Sequence, residues 1–435
     1  MKIFEAGRDS IEAICEALGP QMTAIDRSIA SVVESIIADV RTWGDEALLK
    51  YGRQFDSPDL QAITVDESEF QAAYESVDPE LINALRIAKE NIEDFHKKQL
   101  RNSWIDTSEQ RILGQIIRPL DRVGVYAPGG KAPYPSTVLM TALPAKVAGV
   151  QDIIMCAPPQ KDGNMHPSML VAAREAGVRA VYKVGGAPAI AAMALGTPTI
   201  PRVDKIVGPG NIYVTEAKRQ LYGIVGIDML AGPSEVLVLA DKTADARLVA
   251  ADLLSQAEHA EDSRAILITT VRSLAHEVLN EVKRRKSECG RQEIISASLD
   301  NFGVIVICGN LDDAVELANY CAPEHLELMV ADPWSVVPKI KNAGAIMVGS
   351  DSVVSVGDYI AGPSHTLPTN GTARFGSPLC VDDFLKKSSV IWYSRQALQE
   401  ALAPLTAIAS AEGFDAHANA ARLRIESKTE GKEAT

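Results

Sequence analysis

Ala180-Val-Tyr-Lys-Val-Gly-Gly-Ala187 is a short β-rich run that ends in glycines before a helical stretch. The same rhythm precedes it at Gly124-Val-Tyr126 and Asp152-Ile-Ile-Met-Cys156, and follows it at Asp204-Lys-Ile-Val207 and Glu235-Val-Leu-Val-Leu239. It resumes at Ala265-Ile-Leu-Ile-Thr269, Gly303-Val-Ile-Val-Ile307, Leu326-Glu-Leu-Met-Val330 and Ala345-Ile-Met-Val348. Short runs of branched apolar residues alternating with helical patterns are the mark of parallel βαβ units. The chain therefore reads as α/β, in two α/β layers.

Gly-Pro turns such as Ala231-Gly-Pro-Ser234 put boundaries near Val123 and near Ser234. The expected organisation is a discontinuous α/β domain of residues 1–122 and 236–380, a second α/β domain over 123–235, and a helical extension over 381–435. From Asp26 to about Phe55 and from Asp78 to about Arg101, apolar residues recur at three- and four-residue spacing, so the first hundred residues read as mostly helical. After about Lys386 an Ala-rich helical stretch is expected, with the last ten residues disordered.

Composition sets limits. The 435 residues are 46% hydrophobic, enough for large cores, and the net charge of -14 without a basic block argues against nucleic acid. Six dispersed cysteines form no CxxC pair, which favours reduced thiols over a disulfide framework or zinc ribbon. No apolar run reaches the roughly twenty residues of a membrane helix, and no signal-peptide core opens the chain. A cytoplasmic protein without membrane or nucleic-acid partners is expected.

Two clusters carry chemistry. In Leu254-Ser-Gln-Ala-Glu-His259, a three-residue step on a helix would put the Gln256 amide and the His259 imidazole on one face, within reach of one divalent cation. In Pro323-Glu-His-Leu-Glu327, a carboxylate adjoins a base. Neighbours on a strand point to opposite faces, so Glu324 and His325 share a site only if the strand has barely begun at Glu324. His96, His166 and His276 read as solvated surface. Glu412 and His417, in Ala411-Glu-Gly-Phe-Asp-Ala-His417, read either as a helix start capped by Asp415 or as ligands needing another subunit.

Tyr126-Ala-Pro-Gly-Gly-Lys131, Val184-Gly-Gly-Ala187 and Gly208-Pro-Gly-Asn211 all follow expected strands. Each is either an ordinary turn or a place where backbone N–H groups meet a phosphate, and ligands of open α/β sheets bind at such carboxyl ends. A nucleotide or other anionic ligand fits that pattern. Gly357-Asp-Tyr359 and Gly362-Pro-Ser-His-Thr-Leu-Pro368 form a polar loop of the functional or variable kind.

Together these motifs resemble the histidinol dehydrogenase family, from about residue 26 to 425. The carriers are Val125-Tyr-Ala-Pro-Gly-Gly130, Val207-Gly-Pro-Gly-Asn211 with Thr215-Glu-Ala-Lys218, Ala231-Gly-Pro-Ser-Glu235, Ser255-Gln-Ala-Glu-His259, Ala322-Pro-Glu-His-Leu326, Gly357-Asp-Tyr359 and His365-Thr-Leu-Pro368. The resemblance implies two three-layer α/β/α, incomplete Rossmann-like domains of the aldehyde-dehydrogenase kind, with helical N- and C-terminal extensions. It implies a homodimer exchanging its C-terminal extension, and NAD-dependent oxidation of L-histidinol through L-histidinal to L-histidine.

By the same resemblance, Gln256, His259, Asp358 and the partner subunit's His417 would hold one Zn2+ per subunit. Glu324 and His325 would transfer protons. Ser234, Gln256, His259, His325, Asp358, Glu412 and His417 would contact substrate, and Tyr126, Pro188 and Asn211 would line the NAD site. Two positions depart from the family pattern: Pro188 stands where an amide is common, and Val353-Val-Ser355 lacks a common carboxylate. Rival readings are oxidation of another polar alcohol such as dihydroxypropanesulfonate, a metal hydrolase using Glu324 as base, or a non-catalytic acidic docking face.

Overall fold

The computed structural model describes residues 1–20, 27–129 and 132–426. Asp26, Gly130 and Lys131 lie outside them, as do residues 427–435, on which most of the expected terminal disorder falls. The chain opens with strand β1 (Lys2–Glu5) and helices α1 (Ile11–Leu18), α2 (Arg27–Trp43), α3 (Asp45–Phe55), α4 (Glu67–Ser76) and α5 (Pro79–Lys97). Strands β2 (Trp104–Thr107) and β3 (Arg111–Pro119) come next. A first alternating stretch runs β4 (Arg122–Tyr126), α6 (Pro135–Ala148), β5 (Asp152–Ala157), α7 (Pro167–Ala176), β6 (Ala180–Lys183), α8 (Gly186–Leu195), β7 (Lys205–Val207), α9 (Ile212–Leu221), β8 (Gly226–Ile227).

The second stretch runs β9 (Glu235–Ala240), α10 (Ala246–Ala257), β10 (Arg264–Thr269), α11 (Arg272–Lys286), α12 (Gln292–Phe302), β11 (Val304–Ile307), α13 (Leu311–Cys321), β12 (His325–Met329), α14 (Pro333–Val336), β13 (Ala345–Val348), α15 (Val354–Tyr359). Strand β14 (Leu385–Tyr393) and helices α16 (Arg395–Ala411) and α17 (Asp415–Glu426) end the described chain.

The chain divides into two compact units. The larger comprises residues 1–99 and 120–384 and holds both parallel sheets. One has the order β6-β5-β4-β7-β8, the other β1-β11-β10-β9-β12-β13. All nine strands expected from the sequence are present, because full burial on both faces leaves them as continuous apolar runs. In each sheet the first strand of the alternating stretch lies inside and later strands add on both sides of it. That creates a switch point, between β4 and β7 in one sheet and between β9 and β12 in the other.

The smaller unit comprises residues 100–119 and 385–435 and contains the antiparallel sheet β14-β3-β2 with α16 and α17. The helical expectation after Lys386 is corrected here. Lys386 to Tyr393 pair residue by residue with Arg118 to Arg111, and only then does Ser394 cap α16 by accepting from the Ala397 N–H. Ser388-Ser-Val-Ile-Trp-Tyr393 is β-favouring, and cross-strand pairing outweighs the helical character of the Ala-rich segment beyond it. Within the largely helical first hundred residues, β1 is an addition: a four-residue strand on the edge of the six-stranded sheet, paired in parallel with β11. Too short to show a period, it takes its identity from its partner.

Candidate active site

At the switch point of the second sheet, His325 pairs in register with Val236, so Glu324 lies level with Glu235. β12 begins at His325, and the alternation that would separate the two side chains has not started at Glu324. Both turn to the backbone of one residue, Glu235. The Glu235 N–H donates to Glu324 Oε2 at 2.9 Å, and His325 Nδ1 lies 3.1 Å from the Glu235 carbonyl oxygen. A carbonyl can only accept, so the imidazole keeps a proton on Nδ1 and turns Nε2 toward the site. His325 Nε2 is 3.6 Å from Asp358 Oδ1, and Nδ1 is 3.6 Å from Glu324 Oε2.

These contacts set the proton affinities. Burial alone would lower the His325 value, but the Glu324 and Asp358 carboxylates outweigh it and lift the imidazole to about 9. Burial lifts Glu324 to about 7 against the opposing pull of His325. Burial also raises Asp358, yet the hydrogen bond and charge of His325, with His365 and His259 behind them, leave it below the usual carboxylate value. A proton can thus reside on Glu324 or His325 at little cost near neutrality.

α10 delivers the next group. Gln256 is 2% exposed, and its terminal Nε2 has no hydrogen-bond partner. The two ends of an amide differ only by a flip, so the orphan is equally a buried carbonyl oxygen free to accept or to ligate. α10 ends at Ala257, and a tightened last turn, with the His259 N–H donating to the Gln256 carbonyl at 3.2 Å, carries His259 just beyond it. His259 therefore lies past the end of the helix, not on its face as the spacing predicts. Burial lowers the His259 value despite Asp358, which leaves its imidazole a neutral donor. Asp358 sits on the short helix α15, and its backbone carbonyl accepts from His365 at 3.0 Å.

Glu235 and Arg264 were not among the expected site residues. Both are almost wholly buried and paired at 3.0 Å, and Glu235 Oε1 accepts from the Asn370 N–H at 2.9 Å. An acid opening an otherwise apolar strand, opposite an arginine opening the next, was the available signal. The ion pair holds the strand starts on which Ser234, Glu324 and His325 depend; the Ser234 carbonyl itself accepts from the Arg264 N–H at 3.0 Å.

The Gly-rich turns lie at the carboxyl ends of the first sheet. Tyr126 closes β4, and its hydroxyl accepts from the Gly186 N–H at 3.0 Å, tying the first turn to the start of α8. Gly208 has φ +113°, and a Cβ there would sit 2.0 Å from the Tyr126 carbonyl oxygen, so only glycine fits. Lys218 and Asp228, a buried pair at 2.6 Å, fasten this turn through the Gly208 carbonyl and N–H respectively. Asn211 caps α9, accepting from the Tyr213 and Val214 N–H groups, and Pro188 is buried in the first turn of α8.

Hydrogen bonds bring the two sheets' active edges together. Thr137, in the first turn of α6, lies 3.1 Å from His365 Nε2, and Thr215, in the first turn of α9, donates to the Ala231 carbonyl at 3.3 Å. Carboxyl ends of the first sheet thus face amino ends of the second. Glu412 and His417 belong to the smaller unit, where both are exposed, with the His417 ring 5.2 Å from that of Phe414. Asp415 is the first residue of α17.

Two histidines depart from the surface reading. His96 is fully buried on the inner face of α5, 2.8 Å from the Gln99 amide oxygen, and His166 caps α7; of these three, His276 is the exposed one.

The chain matches the family model described as histidinol dehydrogenase over residues 21–425. It is 53% identical to the histidinol dehydrogenase of Halalkalibacterium halodurans over 91% of this chain and 94% of that protein. It is 49% identical to that of Clostridium acetobutylicum over 98% and 99% respectively. The crystal structure of histidinol dehydrogenase from Elizabethkingia anophelis is similar at a TM-score of 0.92 and 38% identity, with 98% of each chain covered. With the acid–base pair, the Gln256–His259 helix end and the glycine turns on one fold, the chain belongs to the histidinol dehydrogenase family.

Proposed function

We propose that the chain oxidises L-histidinol to L-histidine in two NAD-dependent steps. The observation that carries this reading is the convergence of Glu324 and His325 on the backbone N–H and C=O of Glu235, facing Asp358, in a member of this family. NAD, when bound, would supply the hydride acceptor for both oxidations; in the first, the alcohol would give its proton to His325 Nε2, the nitrogen of that imidazole not turned to a carbonyl. The aldehyde then takes up water. Glu324, which burial lifts to about 7, would accept a proton from that water as it adds, and the hydrate would give up its hydride in the second oxidation to leave the acid. One substrate and one water give two NADH and three protons. Ser234 and Glu412 serve as further substrate contacts in this reading.

The donors present suit a divalent cation: an orphaned buried amide at Gln256, a carboxylate below its usual value at Asp358, and a neutral imidazole at His259. Among the described residues no three His, Cys, Asp or Glu side chains gather closely enough to hold an ion. The proposed set takes Gln256, His259 and Asp358 from one protomer and its fourth ligand, His417, from a partner. Bound there, zinc would orient the substrate's amine and imidazole and, by engaging Asp358, ease the loss of the His325 proton.

NAD would lie along the glycine turns with Tyr126 and Asn211. Tyr126 keeps its O–H to donate and Asn211 its Nδ2, whereas Pro188 contributes only apolar surface. The dimer and a cytoplasmic location complete the reading; no helix among the described residues is long and apolar enough to cross a membrane. Zinc-loaded protein given L-histidinol and excess NAD should form two NADH per substrate. No NADH under those conditions would overturn the proposal.

A further inference from the structure

Asp252 and Glu327 are buried carboxyls with no part in the chemistry above. Glu327 is 1% exposed and lies two residues after His325 on β12, so both side chains leave the same face of the strand. That face packs under α10, where Asp252 is 7% exposed one turn before Gln256. Glu327 Oε1 accepts from the Val354 N–H at 3.2 Å, in the first turn of α15, and Asp358 is one turn further along that helix. Among the described residues Glu327 Oε2 receives no hydrogen bond from a donor group, and the Glu327 and Asp252 carboxyls lie within hydrogen-bond contact of one another. Two carboxylates only repel; the contact is a hydrogen bond when one of them keeps a proton. Burial, followed by mutual repulsion for Glu327, pushes both groups above their usual values, which agrees with a retained proton.

The pair therefore joins the three elements that carry Gln256, His325 and Asp358. We propose that Asp252 and Glu327 are a proton-sharing positioning pair that fixes α10, β12 and α15 against one another and so sets the geometry in which the cation and substrate are held. This rests on the proposed function. Neither residue is a ligand. They act through the backbone at one turn or one pleat from each group, as outer-shell partners of metal sites do.

The test uses the full chain and the variants E327Q, D252N, E327L and D252L, with zinc affinity read by competition against a chelating dye. An amide can donate where the acid did and still accept from Val354, so E327Q and D252N should keep zinc affinity within about threefold of the parent. The leucine variants leave a buried carboxyl alone, and should weaken zinc about 10- to 100-fold and raise KM for L-histidinol. Leucine variants that lower Tm while binding zinc like the parent would overturn the proposal, since a purely structural contact behaves so. E327Q with normal zinc affinity but lost kcat would also overturn it, pointing to proton transfer instead. If the leucine variants fail to fold, the amide variants decide: parent-like affinity supports the pair, and a tenfold or larger loss overturns it. A parent chain that takes up no zinc overturns the metal reading as well, which separates the two failures.

Discussion

His325 is placed by a backbone carbonyl on one nitrogen and a carboxylate facing the other, so its tautomer and direction are fixed before substrate arrives. Replacing it with asparagine keeps the contact to Glu235 but removes the base. H325N should lose about 10²- to 10⁴-fold in kcat with zinc content unchanged, read by steady-state NADH formation and metal analysis. Because deprotonation produces the active base, kcat/KM should rise with pH. With Glu324 at about 7 and His325 at about 9 before a cation engages Asp358, the rise belongs to the coupled pair and starts near the lower value. H325N should flatten that limb. The sequence named this pair as adjacent residues, while its geometric question was answered by where β12 starts. Asp252 and Glu327 could not be singled out in the same way, because an acid inside a strand or helix reads as a solvated face until burial is known.

At the scale of elements, the proposed cofactor edge is a set of strand-to-helix turns whose closeness is fixed by contacts across the sheet. Gly208 shows this most directly, since its positive φ and its approach to Tyr126 both exclude a side chain. G208A should move the β7 turn, raise KM for NAD about tenfold or more, and lower Tm, with zinc affinity unaffected; titration of NAD binding and thermal unfolding would check it. The buried Glu235–Arg264 pair plays the equivalent part at the other edge. E235A would leave an arginine buried without its partner, at a cost of about 3–5 kcal/mol in unfolding free energy, measurable by denaturant titration. The β-rich runs were legible because full burial writes them as unbroken apolar stretches. β2, β3 and β14 were not, since a partly exposed antiparallel sheet built from segments over 260 residues apart leaves no local period.

At the scale of the whole molecule, the proposed metal set needs a histidine from each of two chain regions that lie in different units, His259 and His417. If the partner subunit's His417 completes the site, mixing two inactive variants should restore activity. In a heterodimer of H325N and H417A, one site carries both defects and the other neither. Random reassociation of equal amounts should then return about a quarter of the parent rate, since half of the dimers are mixed and each has one intact site. No recovery after confirmed subunit exchange would count against a shared site.

The sequence by itself determined the alternation of strands and helices and the glycine turns, and it singled out the residues proposed to react, because each motif is written in local spacing and residue type. Only the tertiary structure decided which sheet edges face one another and that Glu324 and His325 converge. It alone revealed the buried carboxyls and the ion pair behind them. Those outcomes depend on strand order and burial. Both arise from contacts between residues far apart in the chain, which no window of sequence contains.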